Sequence, residues 1–508
     1  MTPFKAPVED ILFSLVPVAG ADLTKGWDSA TAADILGHFG AFAEGLIAPL
    51  NATGDAQGAR LKNGRVRMPD GFRDAYKRLT DDGWQGLTVP EAYGGMGLSP
   101  LIAAGVSEIF SGANHAMQMV CNLVPGAVTT LLRFGTDAQK ALWIPKLASG
   151  EALSTMALTE PQAGSDLSVI RTKAAREGDI WKLDGEKIFI SGGDQDMSED
   201  ILHMVLARSG DDGLRGLSLF LCAKQPGAKV TRIEQKLGLH ASPTCHMVFE
   251  GAEAELIGEE GQGLKAMFTV MNHARLDVAL QGIAHATQAA RIARAYAENR
   301  QQGRGADGAP AVLSDHADVT RMLDEQTILA IGARAMVHLT FVELERGNTP
   351  ARAEFLTSMC KVFGSEAGTR AADLGMQVMG GYGYLTEYGM EQIWRDARIC
   401  AIYEGTNGIH AKGLATRGLK PGGGADAFED FVIRISGEAP DQTVLATWQR
   451  MKQELQMSYN PSTCARGFYE TSAALFQDAV WRRIRAVADL HADAARIKAL
   501  AGRVLGAS

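Results

Sequence analysis

The sequence is poor in cysteine and has no excess of basic residues, and each shortage excludes a class of protein. Its six cysteines are widely spaced, with no Cys-x-x-Cys pair, which argues against a structural zinc site and against a disulfide framework. The 50 lysines and arginines are outnumbered by 59 acidic residues, so the net charge is −9 at pH 7. Nucleic-acid binding requires clustered positive charge, so we expect no nucleic acid among the partners.

The sequence also lacks a convincing membrane or export signal. Glu9 and Asp10 stand where a secretory signal peptide needs an uninterrupted apolar run. Residues 109–132 contain no Asp, Glu, Lys or Arg, but Asn114 and His115 within them disfavour a helix that faces lipid. We therefore predict a buried core helix there, no transmembrane segment, and a cytoplasmic location.

Common phosphate-binding and metal-binding signatures are absent as well. No G-x-x-x-x-G-K-[ST] segment and no H-E-x-x-H segment occurs, and Thr386 stands where a G-x-G-x-x-G motif begun at Gly381 needs its third glycine. The eleven histidines lack the spacing of metal ligands, so no metal site is predicted.

The pattern of residues changes along the 508-residue chain, a length that suggests about three domains. The first 150 residues are typical of helices. Ser99 and Pro100 predict a helix start, because the hydroxyl can cap free amides and proline needs no donor in the first turn. Thr136 and Gln139 fit a capping box, and Gly150 predicts the end of the helix that this box begins.

Residues 152–250 change to short β-like runs. Asp184-Gly185 predicts a tight hairpin turn between strands at 180–183 and 186–190, because glycine tolerates the positive φ of such turns. Further strands are predicted at 201–207, 216–223 and 244–249. Helical periodicity returns after residue 263, Pro421–Gly424 is typical of a linker, and an apolar stripe from Phe476 to Val504 predicts a further helical segment.

Three segments present side chains that could support chemistry, and each also has an ordinary structural interpretation. Residues 159–166 place hydroxyls at both ends of a turn, where an anionic or carbonyl-rich ligand could bind, or they form a plain surface turn. Phe189 lies two residues before Ser191 at a predicted strand end. Its ring either contacts a ligand or is an ordinary part of the hydrophobic core. Glu404 follows apolar residues at a glycine-flanked turn, where desolvation would raise its pKa and make it a base, unless it is simply solvated.

Taken together, these segments resemble the acyl-CoA dehydrogenase family of flavoproteins, over about residues 35–415. The motifs match in the same order and at similar separations: TEPQAGSD at 159–166, KIFISGG at 187–193, GEEGQG at 258–263, QVMGGYG at 377–383 and RDARICAIYEGTNG at 395–408. The resemblance implies an α+β multidomain fold. Its expected parts are an N-terminal helical domain (1–151), a middle β-barrel-like domain for flavin and substrate (152–262), a C-terminal helical bundle with the catalytic Glu (263–417), and a linker with a helical extension (418–508).

The resemblance also implies an activity and partners. Members of the family bind FAD and convert an acyl-CoA thioester to trans-2-enoyl-CoA, and Glu404 matches the base that removes the α proton while a hydride passes to the flavin. The expected partners are the acyl-CoA substrate, an electron-transfer flavoprotein as electron acceptor, and further copies of the chain in a dimer or tetramer.

Residue by residue, the resemblance implies a flavin site and a substrate site. The implied FAD contacts are Thr159, Ser165, Phe189, Ser191, Arg300, Gln377, Gly380, Gly381 and Thr406, of which Arg300, Gln377, Gly380 and Gly381 would reach the cofactor of a neighbouring subunit. The implied substrate contacts are Ser165, Arg275 and Gly405. Two departures stand out, because Phe189 replaces the usual tryptophan and Gly408 replaces a common glutamine.

Within the family, one branch is most similar. Gln162, the Ala241–Thr244 run after His240, the N-terminal FKAPVEDILFSL and the added C-terminal region resemble 3-methylmercaptopropionyl-CoA dehydrogenases and related bacterial fatty-acyl-CoA dehydrogenases. Two alternatives stay open: a flavin-dependent oxygenase that acts on a CoA ester, and a non-catalytic acyl-CoA-binding relative.

Overall fold

A computed structural model describes residues 2–211, 213–305, 308–347 and 349–506 of the chain. The chain divides into two compact units. The first, which we call the helical unit, comprises Met1–Glu44, Pro100–Gly112 and Arg275–Ser508. The second, which we call the mixed unit, comprises Gly45–Ser99 and Ala113–Ala274.

The described residues form sixteen α-helices, joined by short 3₁₀ and π segments. In chain order they are α1 Val8–Phe13, α2 Ser29–Phe42, α3 Leu50–Gln57, α4 Phe72–Asp81, α5 Pro100–Cys121, α6 Leu123–Phe134, α7 Asp137–Ser149, α8 Gly263–Asn299, α9 Ala317–Arg346, α10 Pro350–Met379, α11 Met390–Ala397, α12 Asn407–Thr416, α13 Gly424–Ser436, α14 Gln442–Gln456, α15 Ala465–Ala486 and α16 Ala494–Leu505.

The described residues also form eleven strands, seven of them in one sheet. They are β1 Arg60–Lys62, β2 Arg65–Arg67, β3 Ala152–Ala157, β4 Lys173–Glu177, β5 Ile180–Ser191, β6 Asp200–Arg208, β7 Leu217–Ala223, β8 Ala228–Ile233, β9 Thr244–Ile257, β10 Gln301–Arg304 and β11 Pro310–Val312. The order in the sheet is β3-β6-β4-β5-β9-β7, β8 pairs with β9, and β6 also pairs with β7, so the ladder closes on itself. The predicted α+β fold with a barrel-like middle domain is confirmed, whereas the boundaries at 151, 262 and 417 stay predictions.

The core of the closed sheet consists of apolar side chains from alternate strand positions. Trp181 and Phe220 pack with ring centroids 5.2 Å apart, and Phe249 is likewise buried. Burial of a ring this size on folding contributes on the order of 2 kcal/mol, so these three residues are a main source of stability in the sheet.

The hairpin predicted at Asp184-Gly185 is wrong. Residues 180–191 form one strand, β5, and the hairpin turn is Gly178-Asp179, between the end of β4 at Glu177 and the start of β5 at Ile180. Asp184-Gly185 instead forms an irregularity in the pairing of β5 with β9, with Gly185 at φ 148°. A Cβ on Gly185 would lie 2.7 Å from Cα of Thr172, so the close approach of another backbone is what requires glycine here.

The local signals for helix ends are confirmed. The Thr136 hydroxyl accepts a hydrogen bond from the Gln139 N–H at 3.2 Å, and the Gln139 side chain accepts one from the Thr136 N–H at 3.0 Å. The helix α7 ends at Ser149, and Gly150 caps its C-terminus with φ 77°. Pro100 is the first residue of α5 as predicted, although α5 bends at Asn114, whose backbone is extended.

The C-terminal stripe from Phe476 to Val504 divides into two helices rather than one. The first, α15, ends at Ala486, and α16 begins at Ala494. Phe476 is fully buried, but Leu490 between the helices is exposed. Within the helical unit, α13 and α15 pack against α10, and α15 also packs against α12.

One described helix, α9, has the length and apolar composition that a membrane span requires. Most of this helix is buried in the structure, and its buried side chains include Arg334, which pairs with Glu108 at 2.7 Å. A core helix passes the same test, and the paired charge within α9 is typical of one. Residues 109–132, which lack charge, lie in α5 and α6 and are also mostly buried.

Candidate active site

Glu404 lies on a short turn before α12, in a strained backbone conformation. Its φ is 54°, and the next residue, Gly405, has φ 87°. The His410 ring nitrogen Nε2 lies 3.0 Å from the Glu404 carbonyl oxygen, so a neutral His410 donates across the turn. A Cβ on Gly405 would lie 2.9 Å from that nitrogen, which explains the glycine. A left-handed non-glycine residue costs on the order of 1 kcal/mol and is often found at functional sites.

The Glu404 carboxyl group is poorly solvated. Its Oε2 is buried and has no hydrogen-bond partner among the residues that the structure describes. Burial raises the pKa of Glu404 from 4.5 to about 7; the nearby cations of Arg275 and Lys361 oppose this rise, and Asp277 adds to it. The backbone N–H of Glu404 likewise makes no hydrogen bond to the described residues. The turn therefore presents a base with a pKa near neutrality and a free amide donor.

A buried lysine donates hydrogen bonds to the segment that follows Glu404. Lys361 on α10 is fully buried, and its Nζ donates to the Gly405 carbonyl at 2.7 Å and to Asn407 Oδ1 at 3.0 Å. Burial lowers the pKa of Lys361 to about 8. Because one acceptor is in the turn and the other is the first residue of α12, Lys361 fixes the path of the backbone that positions Glu404.

A second set of polar groups lies beside Tyr403, the residue before the base. The Tyr403 hydroxyl donates to Gln281, and the Gln281 amide donates to Asp277 Oδ2 at 2.9 Å. Asp277 also accepts a hydrogen bond from Ser107. These contacts join α8 to the turn, and they place a carboxylate near Glu404 that raises its pKa further.

In the mixed unit, Thr159, Phe189 and Ser191 come together at one end of β5. The Ile188 N–H donates to the Thr159 carbonyl at 2.9 Å, which places Thr159 next to Phe189. Phe189 lies where the pairing of β5 with β9 is irregular, has φ 60°, and leaves 59% of its surface exposed. The Thr159 and Ser191 hydroxyls make no side-chain hydrogen bond to the described residues. An exposed ring on a strained backbone, with available hydroxyls on neighbouring residues, is typical of a ligand site rather than of a core, so we retain this region as a candidate site.

A buried ion pair joins the two motifs of this unit. The Lys187 ammonium lies 2.8 Å from Glu160 Oε1 and also donates to the Leu158 carbonyl at 3.0 Å. Burial tends to raise the pKa of Glu160, but Lys187 and the backbone donors of Arg171 and Thr172 outweigh it and lower the pKa. The pair therefore fixes the exit of β3 against β5, next to Thr159 and Phe189.

Ser165 and Thr406, two other predicted contacts, are both exposed. Ser165 precedes Asp166, whose carboxylate accepts hydrogen bonds from the Ser168 N–H at 3.0 Å and hydroxyl at 2.6 Å, a tight turn that orders this segment. The Thr406 hydroxyl accepts from the Ile409 N–H at 3.3 Å and so caps α12. Each hydroxyl still has a proton to donate.

Arg300, Gln377, Gly380 and Gly381 are exposed residues of the helical unit. The Arg300 guanidinium lies 5.5 Å from the centroid of the Tyr382 ring, which places Arg300 beside the segment that follows α10. Added Cβ atoms on Gly380 and Gly381 would meet no described atom within 4 Å. This surface is open to a partner molecule, as the predicted role in a neighbouring subunit requires.

Several residues that shape the site escaped the sequence interpretation. Glu160 and Lys187 stand inside the quoted motifs, and a charged residue within each motif is the available signal. Lys361, in the otherwise apolar stretch of residues 359–363, was a signal for a buried cation with a specific partner. Gln281 and His410 had no local signal, because their roles depend on contacts with Tyr403 and with Glu404.

The chemical groups of the mixed unit fit a flavin, and those of the helical unit fit an acyl thioester. The mixed unit supplies an exposed aromatic ring and available hydroxyls, and the helical unit supplies a buried carboxyl oxygen without a partner in the described chain. These are the donor, stacking and base groups that an isoalloxazine ring and an acyl thioester need.

The chain matches three family models in order. They are the acyl-CoA dehydrogenase N-terminal domain at residues 32–151, the middle domain at 155–252 and the C-terminal domain at 261–419. Among solved structures, an acyl-CoA dehydrogenase from Geobacillus kaustophilus is similar with a TM-score of 0.69 at 26% identity, over 77% of this chain and 98% of that one.

Two curated relatives extend the similarity beyond the family models. The 3-methylmercaptopropionyl-CoA dehydrogenase of Ruegeria pomeroyi is 40% identical over 89% of this chain and 82% of its own length. The broad-specificity linear acyl-CoA dehydrogenase FadE5 of Mycobacterium tuberculosis is 34% identical over 81% of this chain and 74% of its own. The predicted resemblance to this branch is confirmed, and the chain belongs to the acyl-CoA dehydrogenase family of FAD-dependent oxidoreductases.

Proposed function

We propose that Glu404 removes the α proton of an acyl-CoA thioester, so that the product is a trans-2-enoyl-CoA. The observation that supports this most is the buried Glu404 Oε2, which has no partner in the described chain and belongs to a carboxyl group with a pKa of about 7. A base is most effective when its pKa lies near the working pH, because it is then ionised and still basic. FAD, when bound, supplies the acceptor for the hydride that leaves the β carbon.

The turn also supplies a donor for the thioester oxygen. As the α proton leaves, negative charge develops on that oxygen, and a donor held in place beforehand stabilises it. The Glu404 N–H, which makes no hydrogen bond to the described residues, is the donor that we assign. Arg275 stands near enough to Glu404 to lower its pKa, and we assign it, with Gly405 and Ser165, to the substrate side.

We assign the flavin contacts to Thr159, Ser165, Phe189, Ser191 and Thr406. The hydroxyls would donate to the isoalloxazine ring and to the diphosphate of FAD, and the Phe189 ring would pack against the isoalloxazine. Arg300, Gln377, Gly380 and Gly381 would contact the FAD of a second copy of the chain, so that a homo-oligomer is required for full cofactor binding.

The names of the relatives suggest the substrate class. One relative is a 3-methylmercaptopropionyl-CoA dehydrogenase and another acts on linear acyl-CoA, so we propose an unbranched acyl chain, with or without a thioether sulfur. We propose electron-transfer flavoprotein as the electron acceptor. We also propose a cytoplasmic location, since all six cysteines are free and five of them are buried thiols.

The Glu404→Gln variant tests the proposed base. Anaerobic addition of 3-methylmercaptopropionyl-CoA, butyryl-CoA or octanoyl-CoA to the wild type should bleach the visible absorption of the flavin. The variant should bind FAD normally but bleach at least ~10³-fold more slowly, because an amide cannot accept the proton. A matched control is Glu177→Gln, which changes an exposed glutamate of β4 and should leave the rate unchanged.

Bleaching of the Glu404→Gln variant at the wild-type rate would reject the assigned base. The two alternatives give other results. An oxygenase would consume oxygen in step with substrate and accumulate an oxygenated product instead of an enoyl-CoA. A non-catalytic relative would bind acyl-CoA without any bleaching of the wild-type flavin.

A further inference from the structure

A continuous set of hydrogen bonds connects the C-terminal extension to the turn of Glu404. It begins at Arg466, in the first turn of α15. The Arg466 guanidinium pairs with both oxygens of Glu366 on α10, Nη1 to Oε1 at 2.5 Å and Nη2 to Oε2 at 3.0 Å. This two-point contact fixes the orientation of the Glu366 carboxylate as well as its position.

Glu366 in turn contacts Asn407, the first residue of α12. Asn407 Nδ2 donates to Glu366 Oε1 at 3.2 Å, and Asn407 Oδ1 accepts from Lys361 Nζ at 3.0 Å. Lys361 also donates to the Gly405 carbonyl at 2.7 Å. The amide of Asn407 has one donor end and one acceptor end, so the carboxylate on one side and the ammonium on the other determine its orientation.

Arg466 lies outside the segments that match the family models, the last of which ends at residue 419. The contact is therefore supplied by the extension, and a chain that ended at α12 would lack it. Ser365 adds a parallel contact, since its hydroxyl lies 3.1 Å from Asn407 Nδ2 and 3.2 Å from Asn407 Oδ1. Because this contact remains without Arg466, loss of the arginine should loosen the turn rather than release it.

We propose that Arg466 is a positioning residue for Glu404, which acts through Glu366, Asn407 and Lys361 on the backbone of the turn. The proposal rests on the proposed role of Glu404 as the base. On this view the extension does more than cover the helical unit, because it fixes the geometry in which the α proton is removed. Misplacement of a base by a fraction of an ångström slows proton transfer without weakening substrate binding.

The Arg466→Gln variant tests this proposal in the full-length, FAD-loaded protein. We expect the anaerobic rate of flavin reduction at saturating acyl-CoA to fall about five-fold, while the acyl-CoA concentration for half-maximal rate changes less than about two-fold. Arg466→Lys, which retains the charge but not the two-point contact, should recover part of the rate. Hydrogen exchange of a peptide that covers residues 402–408 should be faster in Arg466→Gln than in the wild type, whether or not a substrate is added.

A matched control comes from the same helix. Arg485 pairs with Glu438 at 2.6 Å, and its side chain is 37% exposed, against 55% for Arg466. Arg485→Gln should leave both the reduction rate and the exchange at residues 402–408 unchanged. Glu366→Gln tests the same connection from the other partner, because it removes the ion pair with Arg466 but retains an oxygen acceptor for Asn407. Its rate of flavin reduction should lie between those of the wild type and Arg466→Gln.

Two results would overturn the proposal. The first is a wild-type rate of flavin reduction together with wild-type hydrogen exchange at residues 402–408 in Arg466→Gln. The second is an equally slow flavin reduction in Arg485→Gln, which would mean that any weakening of α15 has the same effect. Failure of the proposed function is distinct. In that case Glu404→Gln would still be reduced at the wild-type rate, or the wild type would not be reduced by any of the thioesters, whatever Arg466→Gln did.

Discussion

Glu404 and Phe189 are held in left-handed backbone conformations that non-glycine residues rarely adopt. Among the described residues, only Asn63 and Leu239 share this feature with them. Asparagine adopts it readily in turns, but a glutamate or phenylalanine does so only where the surrounding contacts enforce it. That both residues are also predicted site residues supports the view that the strain serves to aim the carboxyl group and the ring.

The raised pKa of Glu404 leads to a prediction for the pH dependence of the wild type. The base must be ionised to accept the α proton, so kcat/KM should rise with pH through a single ionisation near pH 7. The measurement is kcat/KM for a reactive acyl-CoA between pH 5 and pH 9, with a check that FAD stays bound. A midpoint near 4.5, the ordinary value for a glutamate, would contradict the buried environment.

The same pKa predicts how Glu404 affects stability. Because its folded pKa of about 7 exceeds 4.5, the carboxyl group favours the folded state below pH 4.5, and this preference is lost as pH rises through 7. Glu404→Gln should therefore stabilise the protein at pH 8, by up to about 3 kcal/mol, and much less at pH 4. Urea denaturation of both proteins at the two pH values measures this, and equal stabilisation at both would contradict it.

At the scale of elements, β5 carries Phe189 and Ser191, two of the residues that we propose as flavin contacts. Its pairing with β9 is irregular at two places, near Gly185 and near Phe189. The second irregularity turns the Phe189 ring outward, and the Lys187 contact with Glu160 holds the exit of β3 beside it. An irregularity of this kind re-aims a side chain without ending the strand.

Lys187→Met should destabilise the mixed unit strongly. The change leaves the Glu160 carboxylate buried without its cation, for which a cost of about 3–5 kcal/mol is expected at neutral pH. Because the pKa of Glu160 is lowered, the stabilisation that the pair supplies is present above pH 4.5 and is lost in acid as the pH falls through the folded pKa. Denaturant unfolding monitored by tryptophan fluorescence is the measurement.

The control for this change lies on the same strand. Lys182 on β5 pairs with Glu253 at 2.9 Å, but the glutamate side chain is 62% exposed. Lys182→Met should therefore cost less than about 1 kcal/mol. If Lys187→Met lowered the free energy of unfolding no more than Lys182→Met does, burial would not strengthen the pair of Lys187 with Glu160.

At the scale of the whole molecule, the exposed surface around Arg300 suggests that the protein works as an oligomer. Tyr382 is 40% exposed and Tyr384 81% exposed, and they follow the open glycines at 380 and 381. Exposed aromatic rings next to an arginine are typical of protein interfaces. We expect this surface to meet a second copy of the chain and its cofactor.

Arg300→Glu tests the oligomer. Reversal of the charge should repel the cofactor phosphates of the neighbouring subunit, so the purified variant should have at least ten-fold weaker FAD binding, and its mass in solution should shift toward the monomer. Light scattering and FAD titration measure the two effects. Arg450→Glu on α14, also an exposed arginine, should change neither.

Much of the fold could be predicted from the sequence because its signals are local. The capping box of α7 needs only Thr136 and Gln139, which are three residues apart. The prediction of a hairpin at Asp184-Gly185 failed because the glycine is required by a backbone contact with Thr172, just before β4, and the residues of the dipeptide alone do not show this contact. Sequence periodicity likewise could not show the break between α15 and α16, which depends on how each helix packs.

The sequence by itself determined the coarse order of a helical, a β-rich and a second helical segment, the family, and the residues that matched its motifs. The tertiary structure alone decided that Glu404 has a raised pKa, because this pKa depends on burial and on charged side chains from helices far apart in the chain. Burial and the Asp277 carboxylate raise it, and they outweigh the Arg275 and Lys361 cations, which lower it. The tertiary structure alone also joined Arg466 to the Glu404 turn, over about 60 positions. Hydrogen bonds between near neighbours can be inferred from a sequence, whereas burial and charge pairing arise only when distant segments pack together.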